Sequence, residues 1–324
     1  MSEEKTQVQN ARKDLDILNK MKNLPGGLVI IPLVIAVVLA TFVPQVFQIG
    51  GYVTALFYEG NACMMGFFLI VCGSMIDIKQ VGMPLYKGVI MTGTKFLLGV
   101  IVGLIVGKIC GPEGFLGIAP FVLIATITNS NGSLYISLSS QFGNATDTGA
   151  ISILSLNDGP FFTLIALGAT GLANIPIKSL IAVLVPLLIG FIWGNLDKGF
   201  RDACKTAQPI VTFFMTISIG AKTDIKTILT AGASGIVLGL ISAATAVIFF
   251  FVINLLLPKK ERNAMGAAIG TTALNSAMTP AAVAEADPSM EGMVSMATAQ
   301  CATASIITPV SYTHLRAHET LRHL

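Results

Sequence analysis

Charge is what this sequence has least of. Asp, Glu, Lys and Arg make up 11% of its 324 residues, less than half of the roughly 25% usual in a soluble domain. Apolar residues make up 53% and mean hydropathy is +0.78. That balance excludes a soluble globular chain and points to a polytopic membrane protein with the lipid bilayer as its main partner. No nucleic-acid partner is expected at a formal net charge of +3. Histidine is missing from the first 313 residues, since His314, His318 and His323 all fall in the closing SYTHLRAHETLRHL. The five cysteines, Cys63, Cys72, Cys110, Cys204 and Cys301, lack the paired spacing of a disulfide framework or a zinc site and read as small core residues. No metal or organic cofactor is expected. The opening MSEEKTQVQNARKDLDILNK is charged and has no apolar core, so it reads as a cytoplasmic tail over residues 1–24 and not as a cleavable signal.

What is present is a series of long apolar runs. A membrane helix needs about 20 such residues. By that measure ten spans are expected near 27–45, 61–76, 88–108, 115–139, 148–170, 178–195, 209–221, 229–257, 264–284 and 291–310. With the N-terminus inside, the inner connections hold 13 Lys and Arg and the outer ones 4. This asymmetry favours a cytoplasmic N-terminus.

The chain also echoes itself. IPLVIAVVLA at 31–40 resembles VPLLIGFIWG at 185–194, which sets Pro32 over Pro186. FFLIVCGSMIDIK at 67–79 matches FFMTISIGAKTDIK at 213–226, with Gly73 over Gly220 and Asp77 over Asp224. Gly99, Gly103 and Gly107 are spaced by four, as are Ala231, Gly235 and Gly239, a spacing that lets membrane helices approach closely. TITNSNG at 126–132 pairs with TALNSAM at 272–278, so Asn129-Ser130 falls over Asn275-Ser276. The halves are then 25–170 and 171–310. With five spans each, an odd number, the second half enters the membrane from the opposite side. Inverted repeats with helices interrupted at corresponding positions point to a secondary transporter whose site lies near the midplane.

The polar runs at the interruptions are the candidate substrate site: Asn129, Ser130, Asn131 and Gly132 in the fourth span, and Asn275, Ser276 and Thr279 in the ninth. Gly132 and Pro280 would break their helices there and free backbone groups for binding. The bland alternative is interhelical hydrogen-bond glue. In the fifth span, SLNDGPFF interrupts an apolar helix with Asn157 and Asp158. An ionised Asp at that depth costs about 2.5–3.5 kcal/mol, which makes Asp158 the candidate proton carrier. Its alternative role is to cap a half-helix beginning at Pro160. Asn157 joins the candidate substrate-binding residues, as does Gln300, which with Cys301 falls at the corresponding place in the tenth span. Lys95 is the sole basic residue well inside a span, and it either meets a substrate carboxylate, pairs with an acid or snorkels to the surface.

LPGGLVIIPLVIAVVLATFVP at 24–44, ATITNSNGSLY at 125–135, SLNDGPFFTL at 155–164 and ALNSAMTPAAVA at 273–284 together resemble the bacterial 2-keto-3-deoxygluconate permease family over roughly residues 22–310. The resemblance implies proton-coupled uptake of that sugar acid across the cytoplasmic membrane by alternating access. It also implies kinship with the bile-acid-sodium-symporter-like group, in which two inverted five-helix repeats cross at broken fourth and ninth helices. Residues 311–324 are similar to sequencing-adapter read-through and are expected to be non-native, leaving the tenth span cut short. A sodium-coupled carrier of another organic anion fits the same architecture. An enzyme does not, because one central Asp without histidine makes no catalytic cluster. A channel would carry flux without concentrating its substrate. Substrate range, stoichiometry and oligomeric state, homodimer included, are left open by the sequence.

Overall fold

In a computed structural model the described backbone covers residues 15–24, 27–77 and 82–322. Side chains are described for these residues apart from Asn23, Ser133, Asp158 and 310–322. The described residues form helices and connecting turns with no strand, apart from one isolated bridge between Phe115 and Ile118. In chain order the α-helices are α1 (Ile17–Asn23), α2 (Gly27–Phe42), α3 (Gly51–Phe57), α4 (Asn61–Met75), α5 (Met83–Cys110), α6 (Pro120–Thr128), α7 (Gly132–Phe142), α8 (Ala145–Leu154), α9 (Phe161–Thr170), α10 (Ile177–Leu196), α11 (Lys198–Gly220), α12 (Ile225–Leu256), α13 (Met265–Ala268), α14 (Thr279–Ala286) and α15 (Val294–Arg322). Three of them, α5, α10 and α12, are long and apolar enough to cross a membrane, and the number rises to five if each of two bent pairs, at 56° and 58°, counts as one span. Helix α3, bent onto α4, lies where the sequence reading has only a connection.

The helices pack in two groups. Helices α2, α4, α10 and α11 form one, held by backbone contact at glycine. A Cβ on Gly73 of α4 would lie 2.0 Å from the Leu187 carbonyl oxygen of α10, and one on Gly220 of α11 would lie 2.8 Å from the Leu33 carbonyl oxygen of α2. Leu187 and Leu33 each follow a proline inside a helix, Pro186 and Pro32. Gly190 and Gly194 extend the α4–α10 seam over Ile70 and Ser74. The other group gathers α5, the short helices α6 to α9, α12 to α14, and α15.

The two small-residue rows do not pack alike. Gly99, Gly103 and Gly107 receive Thr128, Ile124 and Leu172, whereas Gly235 and Gly239 receive Thr303 and Ile307 of α15. Helix α15 also runs unbroken past Gln300, while the segment 148–170, aligned with it in the sequence echo, is interrupted between α8 and α9. Two of the cysteines, Cys63 and Cys110, are exposed, which corrects their reading as core residues; Cys72, Cys204 and Cys301 are buried.

Residues far apart in sequence meet at each end of the bundle. Lys87, Asp147 and Glu261 form ion pairs at one end. Glu59, Lys222 and Glu291 line one cavity at the other.

Candidate functional site

Three interruptions meet in the middle of the second group, and local chemistry accounts for each. Helix α6 begins at Pro120 and ends at Thr128, whose hydroxyl bonds back to the Ile124 carbonyl at 2.8 Å. Asn129 is extended at φ −83°, ψ 140°. Asn131 then caps α7, its Oδ1 accepting from Leu134 N at 3.0 Å. In the segment 264–284 α13 is only four residues long, and after Gly270 and two β-branched threonines Ala273 is extended at φ −81°, ψ 158° before a 3₁₀ turn over Leu274–Met278. After α8 a 3₁₀ turn over Ser155–Asp158 leads through Gly159 to α9.

One side chain joins all three. Asn129 Nδ2 donates to the Asn157 carbonyl oxygen at 3.0 Å, and Asn129 Oδ1 accepts from Ala273 N at 3.2 Å. Around it the Thr272 hydroxyl donates to the Thr126 carbonyl oxygen at 3.0 Å, the Thr128 and Thr163 hydroxyls lie 3.3 Å apart, and Thr126 meets the Cys301 thiol at 3.4 Å. The crossing is closed over: Asn129, Ser130, Asn157 and Ser276 are each at most 2% exposed. Among the described residues the Ser130 hydroxyl and both side-chain amide atoms of Asn157 are buried with no hydrogen-bond partner. Leaving such groups unpaired costs about 1–3 kcal/mol each, so their presence together needs a reason beyond packing.

A crevice runs along the seam between the two helix groups. One cavity of about 500 Å³ lies between Asn61, Ser218 and Lys222 on one side and Ala281, Glu285 and Ser295 on the other. A second, of about 370 Å³, shares Asn61, Ala62, Ala281 and Glu285 with it and continues past Lys178 to Leu69 and Leu164. A Cβ on Gly159 would sit 3.3 Å from Leu69 Cδ2, so Leu69 stands between this cavity and the third interruption. Neither cavity is lined by Asn129, Asn157 or Asn275.

Residues 18–316 match the family described as 2-keto-3-deoxygluconate permease. The chain belongs to that family. Among curated proteins it is 44% identical over 300 residues to the 2-keto-3-deoxygluconate permease 1 of Salmonella typhimurium, covering 91% of this chain and 94% of the relative. It is 30% identical over 293 residues to the 2-keto-3-deoxygluconate permease of Bacillus subtilis, covering 89% and 88%. These relatives are named as permeases and not as enzymes, and with the apolar helices they mark a membrane transport protein.

Within this permease-family chain the residues singled out from sequence divide by position. Asn129, Ser130 and Asn157 come together at the crossing. Asn131 and Gly132 start α7, with Asn131 spending its side-chain oxygen on the cap. Asn275 is half-buried and Ser276 buried in the 3₁₀ turn before α14, where the Ser276 hydroxyl donates to the Ala273 carbonyl oxygen at 2.8 Å. Thr279 is buried at the first position of α14. Lys95 is fully buried and donates to the carbonyl oxygens of Ile269 and Thr271, the latter at 3.1 Å, with Phe249 at 5.4 Å beneath it. Its charge thus answers carbonyls freed by the interruption after α13, just beyond the C-terminus of that helix. Gln300 is aligned with Asn157 in sequence but does not join the crossing contacts: its Nε2 donates to the Gly117 carbonyl oxygen and to the Ser234 hydroxyl, both at 2.8 Å. The Asp158 side chain lies outside the described ones. Its backbone ends the 3₁₀ turn, and α9 starts at Phe161 with Pro160 at the N-cap position, so both roles read for the Asp158 carboxyl, proton carrier and cap, fall on a side chain outside the described ones.

The sequence reading missed the fully buried pair Lys87–Asp147, 2.6 Å apart, and Glu261, 3.2 Å from Lys87. Each lies at or beyond a span end, where charge reads as ordinary solvated loop. Only a partner 60 or more positions away distinguishes it.

Proposed function

We propose that the chain carries 2-keto-3-deoxygluconate into the bacterial cell with protons, by alternating access at the crossing around Asn129. The carrying observation is that Asn129 joins the three helix interruptions beside an unpartnered Ser130 hydroxyl and Asn157 amide. The names of the curated relatives support the substrate.

In this reading ten spans form two inverted repeats, 25–170 and 171–310, with the N-terminus cytoplasmic. Two observations support it. The contact Gly73–Leu187 recurs with the halves exchanged as Gly220–Leu33, the relation expected of a two-fold between repeats. The connections that meet at each end of the bundle also alternate along the chain as ten crossings require. The Lys87 end is then the cytoplasmic face, and the crevice lined by Asn61, Lys222 and Glu285 opens outward.

A sugar acid offers hydroxyls and one carboxylate. The Asn157 amide and Ser130 hydroxyl supply donors and acceptors for the hydroxyls, and the N-terminal ends of α7 and α14 favour the carboxylate. Lys95, held on backbone carbonyls, keeps the ninth-span interruption formed while the substrate binds. Asp158, next to Asn157, is the proton carrier. The α2–α4–α10–α11 group and the crossing group move relative to one another, opening the seam first outward and then inward.

The test is uptake of labelled 2-keto-3-deoxygluconate into proteoliposomes under an imposed pH gradient, alkaline inside, against a sodium gradient of equal size. Accumulation with the pH gradient alone is expected. Accumulation that needs sodium would transfer the chain to the sodium-coupled reading, and equilibration without accumulation would make it a channel.

A further inference from the structure

At the Lys87 end the side chains form a closed network that no part of the transport reading uses. Lys87 Nζ lies 2.6 Å from Asp147 Oδ1 and 3.2 Å from Glu261 Oε2. Glu261 also accepts from the Thr146 hydroxyl at 2.6 Å and from Asn144 Nδ2 at 3.4 Å. Asp147 Oδ2 accepts from Asn144 N at 2.9 Å and from Asn263 Nδ2 at 2.7 Å. Lys87 and Asp147 are both fully buried.

From Asp147 the network reaches two of the three interruptions by short, rigid routes. Tyr135, one turn into α7, donates its hydroxyl to the Asp147 carbonyl oxygen at 3.0 Å and is 1% exposed. Asn131, which caps that helix, is four residues away beside Asn129. On the other route Asn263 Oδ1 accepts from Met265 N at 2.9 Å and so starts α13, whose far end delivers the Ile269 and Thr271 carbonyls to Lys95. Two bonds of 3.0 Å between Asn254 and Asn263 tie this loop to α12. At the opposite end of the bundle Asp287 takes the backbone N–H of Asn174 at 2.7 Å in place of a cation.

We propose that Lys87 and Asp147 are positioning residues for transport: with Glu261, their ion pair holds α7 and α13 in register, so that the two interruptions present Asn129 and Ala273 to each other. The inference rests on the crossing being the substrate site. Stability alone does not account for the pair, because a buried ion pair is often no more stabilising than apolar side chains of the same volume. What it adds here is a directional link between two half-helices too short to hold a register of their own. The Thr146 hydroxyl, and after it Lys87, holds the Glu261 carboxyl below the ordinary glutamate range. Its bonds therefore contribute fully above that range and are lost only as pH falls through the lowered value.

The test compares the wild-type carrier, Lys87→Arg, and the double variant Lys87→Met/Asp147→Asn, which removes the fully buried pair and leaves the partly exposed Glu261 on its bonds from Thr146 and Asn144. Hydrogen exchange is followed along the chain, and transport kinetics are normalised to folded protein. In the double variant exchange is expected to rise in 126–135 and 265–274 and stay unchanged in α4 and α10, while KM rises about 10- to 100-fold with little change in maximal rate. Lys87→Arg, which keeps the pair's charges, should leave both near wild type. Unchanged exchange in the two segments, or a lowered maximal rate at wild-type KM, overturns the proposal. Raised exchange in a carrier whose wild type does not move the sugar acid would leave the positioning role standing and remove the substrate reading.

Discussion

Asp158→Asn is expected to abolish concentrative uptake while sparing exchange. Two units of pH difference supply about 2.7 kcal/mol per proton, enough for about 100-fold accumulation of an anion moving with one proton. Asparagine matches protonated aspartic acid in shape and neutrality but cannot take up or release the proton. The variant should therefore equilibrate labelled 2-keto-3-deoxygluconate to a ratio near one under the same gradient. Its exchange of labelled for unlabelled substrate across preloaded vesicles should continue at a rate comparable to wild type. Accumulation undiminished in Asp158→Asn would remove Asp158 from coupling. The carboxylate at this point of an interrupted span is costly to retain in a membrane, and in this reading coupling is what it contributes.

The second large effect is expected at Asn129. Alanine there strips the partner from the Asn157 carbonyl and from Ala273 N, two backbone groups at the closed crossing. If each costs even the lower part of the about 1–3 kcal/mol range for an unsatisfied group, the binding geometry is penalised by about 2–3 kcal/mol, or about 100-fold in kcat/KM. Asn129→Asp separates the two bonds, since it keeps an acceptor for Ala273 N and sets an acceptor against the Asn157 carbonyl; it should fail nearly as badly. Asn131→Ala is the control. It loses a helix cap worth about 1 kcal/mol and should retain most activity. Equal, small effects at Asn129 and Asn131, measured on equal amounts of folded carrier, would reduce Asn129 to interhelical glue.

Hydropathy carried much of this architecture into view from sequence. The apolar runs locate the long helices because a helix satisfies its backbone without water. The polar runs at 128–133 and 272–278 locate two of the interruptions because Asn, Gly and Pro in or beside them release that ladder. The Gly73–Gly220 echo is legible for a related reason: only glycine admits the Leu187 and Leu33 carbonyls so closely.

Pairings across long separations were not legible. Lys95 stands out in an apolar helix, but its partners are the carbonyls of Ile269 and Thr271, and no residue type encodes a carbonyl. Lys87, Asp147 and Glu261 look like loop charges until the fold buries them together. Asn131 and Asn129 are the same residue two positions apart, yet one caps its own helix and the other bridges three segments, because α7 begins between Asn131 and Gly132. Gln300 shows the limit of repeat arithmetic: α15 is continuous where the aligned segment is broken between α8 and α9, so the aligned side chain faces Gly117 and Ser234 instead.

The most direct measurement is a structure of the carrier determined with 2-keto-3-deoxygluconate bound. The account predicts the sugar acid at the crossing, within hydrogen-bonding distance of the Asn157 amide and the Ser130 hydroxyl, with the bonds from Asn129 to Asn157 and Ala273 retained. A sugar acid found only in the crevice between Lys178 and Glu285, with those amide and hydroxyl atoms still unpartnered, would contradict it.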